Sequence, residues 1–187
     1  RSMLRHELDE RRRSESENQM LAMVAANTNN AVMVSDASGN IEWVNPAFER
    51  ITGYTLSEAR GHSPGKLLQG PETDRVVAAE IGECLRASRG CRDVELINYA
   101  KDGRKYWIAI DIQPILGADG KVERFIAIER DVTERKEAEA ALNANHEFTS
   151  KIIESLPGIF YLIDQNGRFA LWNKNFEQVS GRDAEAM

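Results

Sequence analysis

Few side chains in this sequence could make or break bonds, and their spacing limits what they could do. Cys84 and Cys91 are its two cysteines. They form no Cys-x-x-Cys pair and have no histidine close by, so the usual zinc-site spacings are excluded. They read as small apolar packing residues, with a thiol redox switch as the alternative. The histidines, His6, His62 and His146, are scattered. There is no Ser/His/Asp set, no phosphate-cradling glycine loop and no convincing carboxylate pair. No catalytic constellation is visible.

The elements that would position any functional side chain are set by a repeat. Asp36-Ala-Ser-Gly39, Asn45-Pro-Ala-Phe48-Glu49 and Gly53 return as Asp164-Gln-Asn-Gly167, Asn173-Lys-Asn-Phe176-Glu177 and Gly181, each 128 residues on. A whole domain therefore lies between the two starts. The second copy has only begun when the sequence reaches Met187, so the chain is expected to be a piece of a longer modular protein. His146 lies on a helical stretch and invites reading as a kinase phosphoacceptor, but its place between the two copies marks an inter-domain linker.

The hydrophobic fraction of 42% and charged fraction of 29% are ordinary for a globular protein. No apolar run approaches the roughly 18–20 residues that cross a bilayer. The net charge of −6 carries no basic stripe for nucleic acid. Arg11–Arg13 sit among acidic residues and read as a solvated helix face. Two cysteines and no secretory signal suggest a reducing cytosol.

Residues 1–26 lack Gly and Pro and predict one helix. Ala31–Ser35 and Ile41–Val44 predict a hairpin around Asp36–Gly39. Asn45-Pro46 opens a helix that Gly53 closes. Ser57 is a candidate cap for a further short helix, and 62–71 reads as a loop. Thr73 is a candidate cap for a helix over 74–87. Strands follow at 91–100, 104–116 and 122–131, joined by turns at Asp102-Gly103 and Asp119-Gly120. Tyr106, Ile108, Ile110 and Ile112 alternate along the middle one. Residues 134–154 predict a long helix whose Ala138, Leu142, Asn145, Thr149 and Ile152 make a weak seam for a partner helix. The order is α+β, with a five-stranded antiparallel sheet and flanking short helices between long N-terminal and linker helices.

These residues resemble the PAS sensor family. The matches are Asp36 to Gly39, Trp43-Val-Asn-Pro-Ala-Phe48, Thr52-Gly53-Tyr54, Lys101-Asp-Gly103, Pro114, Asp119-Gly120 and Arg130-Asp-Val-Thr-Glu-Arg135. The resemblance implies an N-terminal dimerisation helix at 1–26, a complete PAS domain at 27–133, a linker helix at 134–152 and the start of a second PAS domain at 153–187.

His62-Ser-Pro-Gly-Lys-Leu-Leu-Gln-Gly70 resembles the loop of flavin-binding PAS domains, but Pro64-Gly65-Lys66 stands where the photosensory LOV branch carries its cysteine. The resemblance is therefore to the redox-sensing, FAD-binding branch. It implies Asn98 against the pyrimidine side of a flavin and Glu129 near flavin N5 and O4. Ile108 stands where LOV domains have a second asparagine. Lys66 and Gln69 would lie toward the ribityl or phosphate side. Leu67, Leu68, Ile81, Val32, Val34, Ile51 and Ile126 would line the slot, with Trp43 or Trp107 by the ring or adenine. Haem is disfavoured, because the long helix that carries the ligand in haem-binding relatives has no histidine here.

The reading is a cytosolic redox or oxygen sensor that holds FAD. It would relay flavin state through the linker helix, as a homodimer, to a transmitter elsewhere in the same protein. That transmitter is expected to be a histidine kinase or, failing that, a diguanylate cyclase. The alternative is a cofactor-free PAS module that only dimerises and relays.

Overall fold

The computed structural model describes Met23 and residues 25–181. The dimerising helix expected over 1–26 therefore lies largely outside the described residues. Met23 and residues 25–27 are helical. The chain divides into two compact units after Glu134.

In the first unit, β1 (Ala31–Asp36) turns into β2 (Ile41–Val44). The Asp36 carboxylate holds that turn by accepting from Ser38 N–H and Asn40 N–H at 2.9 and 2.8 Å, and Gly39 supplies the φ of 84°. These bonds to the ionised form depress the Asp36 pKa. Asn45 then caps α1 (Pro46–Thr52), with Pro46 in the first turn and Gly53 left-handed at the end. The Asn45 side chain is fully buried and spends its whole bonding capacity. Oδ1 accepts from Val32 N–H and Phe48 N–H, and Nδ2 donates to the Ala25 and Asn30 carbonyls.

Two caps differ from the sequence expectation. Thr55, rather than Ser57, opens α2 (Leu56–Ala59), in a reciprocal capping box with Glu58. Asp74, rather than Thr73, caps α4 (Arg75–Arg86), accepting from Val76 N–H and Val77 N–H. The Thr73 hydroxyl is engaged elsewhere, donating to the Ile97 carbonyl at 2.7 Å. The stretch read as a loop over 62–71 contains a one-turn helix, α3 (Pro64–Leu68). Proline at its start explains this, since the missing N–H has no partner to lose there.

The remaining strands are β3 (Cys91–Tyr99), β4 (Lys105–Leu116) and β5 (Val122–Asp131). The sheet order is β2-β1-β5-β4-β3, antiparallel throughout. One face packs on the helices. Met33, Phe125, Ala127, Leu96, Tyr106, Ile108, Ile110 and Ile112 form its core with Phe48 and Leu68. The other face carries Val34, Trp43, Ile128 and Trp107, by the period-2 alternation of the strands. β5 runs directly into a long helix, α5 (Thr133–Ser155). The junction is tied to β4: Trp107 N–H donates to Thr133 Oγ1, and Val132 N–H to the Trp107 carbonyl, both at 2.9 Å.

The second unit repeats the opening of the first. It has β6 (Tyr161–Ile163), β7 (Phe169–Trp172) and α6 (Lys174–Ser180). Asn173 Oδ1 accepts from Phe160 N–H and Phe176 N–H, and its Nδ2 donates to the Gly158 carbonyl. Each of these partners lies 128 residues beyond its counterpart around Asn45.

Candidate functional site

The helix-facing side of the sheet does not close completely. It leaves a cavity of about 200 Å³, far above the roughly 10–15 Å³ that admits one water. The walls are mainly apolar. Met33 of β1, Leu96 of β3, Ile110 and Ile112 of β4, and Phe125 and Ala127 of β5 form the sheet side, while Ile81 and Leu85 of α4 face them. Ser63, Pro64, Gly65 and Gln69 border it around α3.

Two buried polar side chains interrupt this apolar surface, Asn98 on β3 and Glu129 on β5. Strand register explains their placement. Glu129 pairs with Ile110, and Asn98 pairs with Tyr106, all on the inner face. Tyr106 is also buried, and its hydroxyl and Glu129 Oε2 have no hydrogen-bond partner. Buried polar atoms are almost always paired in folded proteins, so the unpartnered oxygen of Glu129, which lines the cavity, stands out; Tyr106 pairs with Asn98 in the sheet but does not itself line the cavity. Burial pushes the Glu129 carboxyl up to about 7, by disfavouring its charged form. Burial and then the Glu129 charge raise the Tyr106 phenol, which therefore remains a neutral donor.

The structure brings together four of the residues singled out from sequence: Asn98, Glu129, Gln69 and Ile81 all line the cavity. Gln69 is exposed at its mouth, folded over Gly65, whose missing side chain leaves room for the amide. The others lie elsewhere. Lys66 is exposed on α3, away from the cavity, and Leu68 is fully buried in the core. Leu67 and Ile51 pack at the core's edge. Trp43, Trp107, Val32, Val34 and Ile126 belong to the opposite face of the sheet from Glu129.

The parity of β5 could have shown this. Residues on one face of a strand are two apart, so Ile126 cannot share a face with Glu129, whereas Phe125 and Ala127 must. Across β1 the same parity selects Met33 and Ser35 instead of Val32 and Val34. Tyr106, a buried polar residue of the inner face that does not line the cavity, was signalled by its place opposite Asn98 and its membership of the alternating Tyr106–Ile112 series.

Among the described residues no cluster of three His, Cys, Asp or Glu side chains could hold a metal ion. Among them, too, no helix is long and apolar enough to cross a membrane.

Comparison with known proteins agrees with this fold. Residues 29–134 match the PAS domain family. A nitrogen fixation regulatory protein of Klebsiella pneumoniae is 32% identical over 143 residues, covering 76% of this chain and 28% of that protein. A blue-light-activated histidine kinase of Rhizobium johnstonii is 31% identical over 120 residues, covering 64% of this chain and 34% of the kinase. The chain thus spans about a third or less of these relatives. Among solved structures, an RNA-binding Light-Oxygen-Voltage receptor superposes with a TM-score of 0.62 at 26% identity, covering 70% of this chain and 37% of the receptor. The LOV domain of an Erythrobacter litoralis blue-light-activated histidine kinase gives a TM-score of 0.52 at 26% identity, covering 57% of this chain and 99% of that domain.

Proposed function

The chain belongs to the PAS domain family, and we propose that its first unit is a redox- or oxygen-sensing module that binds FAD. The observation that carries this reading is the buried Glu129 carboxyl, with an oxygen left unpartnered at an apolar cavity beside Asn98. A flavin ring asks for an apolar slot with a few placed donors and acceptors. These residues fit that demand. The Asn98 amide can both donate and accept, and Glu129 can do either according to its protonation.

FAD would supply the electron-transfer chemistry. Asn98 would hold the pyrimidine side of the ring, and Glu129 its N5 and O4 edge. With a pKa of about 7, Glu129 gains or loses a proton near neutral pH and so changes between donor and acceptor. Asp131, on the same strand, accepts from Thr133 N–H at 2.9 Å at the start of α5. A change of hydrogen bonding at Glu129 would therefore act on the residues that anchor this helix. Helix interfaces commonly have two packings that differ by a few kcal/mol, which is what such a relay needs.

The bordering residues Ser63, Pro64 and Gly65 carry no thiol, and neither cysteine lines the cavity. This favours redox sensing over cysteine-adduct photochemistry. Downstream, the module would act as a cytoplasmic homodimer, through its N-terminal and linker helices, on a histidine kinase transmitter of the same protein.

Fluorescence titration of the ligand-free protein with FAD, FMN and riboflavin tests the reading. Saturable binding of FAD that Asn98→Ala weakens is expected. Binding of none of the three would refute it.

A further inference from the structure

Cys84 lies in the last turn of α4, and Cys91 opens β3; both are partly buried free thiols. The chain between them is a tight reversal. Arg89 N–H donates to the Cys84 carbonyl at 2.8 Å, and Ser88 N–H to the Leu85 carbonyl at 3.0 Å. Ser88 is held in the left-handed region at φ 56°, where side-chain-bearing residues are uncommon. Gly90 passes so close to β4 that a Cβ there would meet the Ile112 carbonyl oxygen at 2.6 Å. Cys91 then pairs with Ile112 in the sheet. This path returns the chain beneath the end of α4, where Cys84 is close enough to act electrostatically on the Cys91 thiol.

We propose that Cys84 and Cys91 are a thiol-redox site, forming a reversible intramolecular disulfide that ties α4 to β3. The site is independent of whatever the cavity binds, because neither cysteine lines it. It is nonetheless placed to affect the cavity. α4 contributes Ile81 and Leu85 to the wall, and β3 contributes Leu96 and Asn98. A covalent link between these elements would fix the spacing of that side.

The oxidant is a low-molecular-weight disulfide, with oxidised glutathione as the probe. The Cys84 thiolate, its proton lost to solvent, attacks one sulfur of the oxidant, making a mixed disulfide and expelling one thiolate. Cys91 gives its proton to that thiolate and attacks the Cys84 sulfur. The second thiolate leaves and takes up the proton that solvent received. Two protein thiols are oxidised by two electrons, and one small disulfide is reduced to two thiols. The order follows from burial, which is the main cause of the raised Cys91 pKa and keeps that thiol protonated. Cys84 is the entry point, and Cys91 resolves.

The test equilibrates the full chain in glutathione buffers of graded ratio, quenches with acid and labels free thiols with N-ethylmaleimide under denaturing conditions. At oxidising ratios the intact mass is expected to show no label and no glutathione, and proteolysis to give one peptide pair linked through Cys84 and Cys91. Dithiothreitol should restore two labels. Cys91→Ser should carry a single glutathione on Cys84 instead, whereas Cys84→Ser, left with the protonated resolving thiol, should keep a single label. Two labels, two glutathiones or only intermolecular links at every ratio would overturn the proposal; because these are read on the unmodified chain, they do not depend on the variants folding.

Discussion

Replacing Glu129 by Gln tests the buried carboxyl in the ligand-free protein. Burial holds this group at about 7 rather than its ordinary 4.5. Each tenfold change in proton affinity is worth about 1.4 kcal/mol, so ionised Glu129 makes the folded protein about 3 kcal/mol less stable than a neutral side chain would. The sign follows from proton counts. Below pH 4.5 the carboxyl is protonated in both states and contributes nothing to the pH dependence. Between 4.5 and about 7 the unfolded chain releases its proton while the folded protein keeps it, so stability falls as pH rises. Above 7 the loss is complete. Glutamine cannot ionise and removes this slope. Urea unfolding of both proteins from pH 4.5 to 8 should show the Glu129→Gln variant gaining about 3 kcal/mol on wild type across that window. Any constant offset from the new amide cancels in this difference. A stability difference that does not change with pH would refute the raised pKa and, with it, the role of Glu129 as a proton-linked group.

Other perturbations read other parts of the account. In flavin-loaded protein, Glu129→Gln should alter the flavin reduction potential and its dependence on pH; a potential identical to wild type from about pH 6 to 8 would remove Glu129 from the redox response. Asn45→Ala leaves the Val32 amide and the Asn30 carbonyl without the partner this side chain supplies, while the Phe48 amide keeps only the residue-45 carbonyl, and should cost about 3 kcal/mol in urea unfolding. Gly70→Ala would set a Cβ 2.3 Å from the Tyr99 ring, whose hydroxyl accepts from Glu72 N–H. A loss of about 2 kcal/mol is expected from such overpacking, and an unchanged midpoint would contradict the close approach. Glu58 is held at about 2, chiefly by its hydrogen bond from Lys101; Lys101→Met should move its carboxyl titration upward in NMR.

The repeat was the most legible feature because it is written in turn and cap residues, whose conformations are local. Asp36 and Asp164 hold equivalent turns, and Asn45 and Asn173 bind equivalent amides. Asn98 and Glu129 were legible as buried, cavity-lining residues for a different reason. A polar side chain amid apolar strand neighbours stands out, and the family resemblance aligned both.

The rest of the cavity wall was less legible because β1 and β5 are apolar on both faces. Val32 and Val34 alternate with Met33, and Ile126 and Ile128 with Phe125 and Ala127, so hydrophobicity alone does not choose the inner face. Glu129 fixes the choice once antiparallel pairing is imposed. Trp43 and Trp107 misled for the same reason, since an aromatic suits either face of a half-covered sheet. The approach of Cys84 to Cys91 was not readable from spacing, because it depends on the left-handed Ser88 and the passage of Gly90 against β4.

The central claim is that the cavity beside Glu129 holds a flavin, and the most direct measurement is the visible absorption spectrum of the purified protein. Chromatography of whatever is released on denaturation completes it. The account predicts a yellow protein with the two visible bands of an oxidised flavin, which bleach on reduction, and FAD as the released molecule. A colourless protein that takes up no flavin when offered FAD would contradict it.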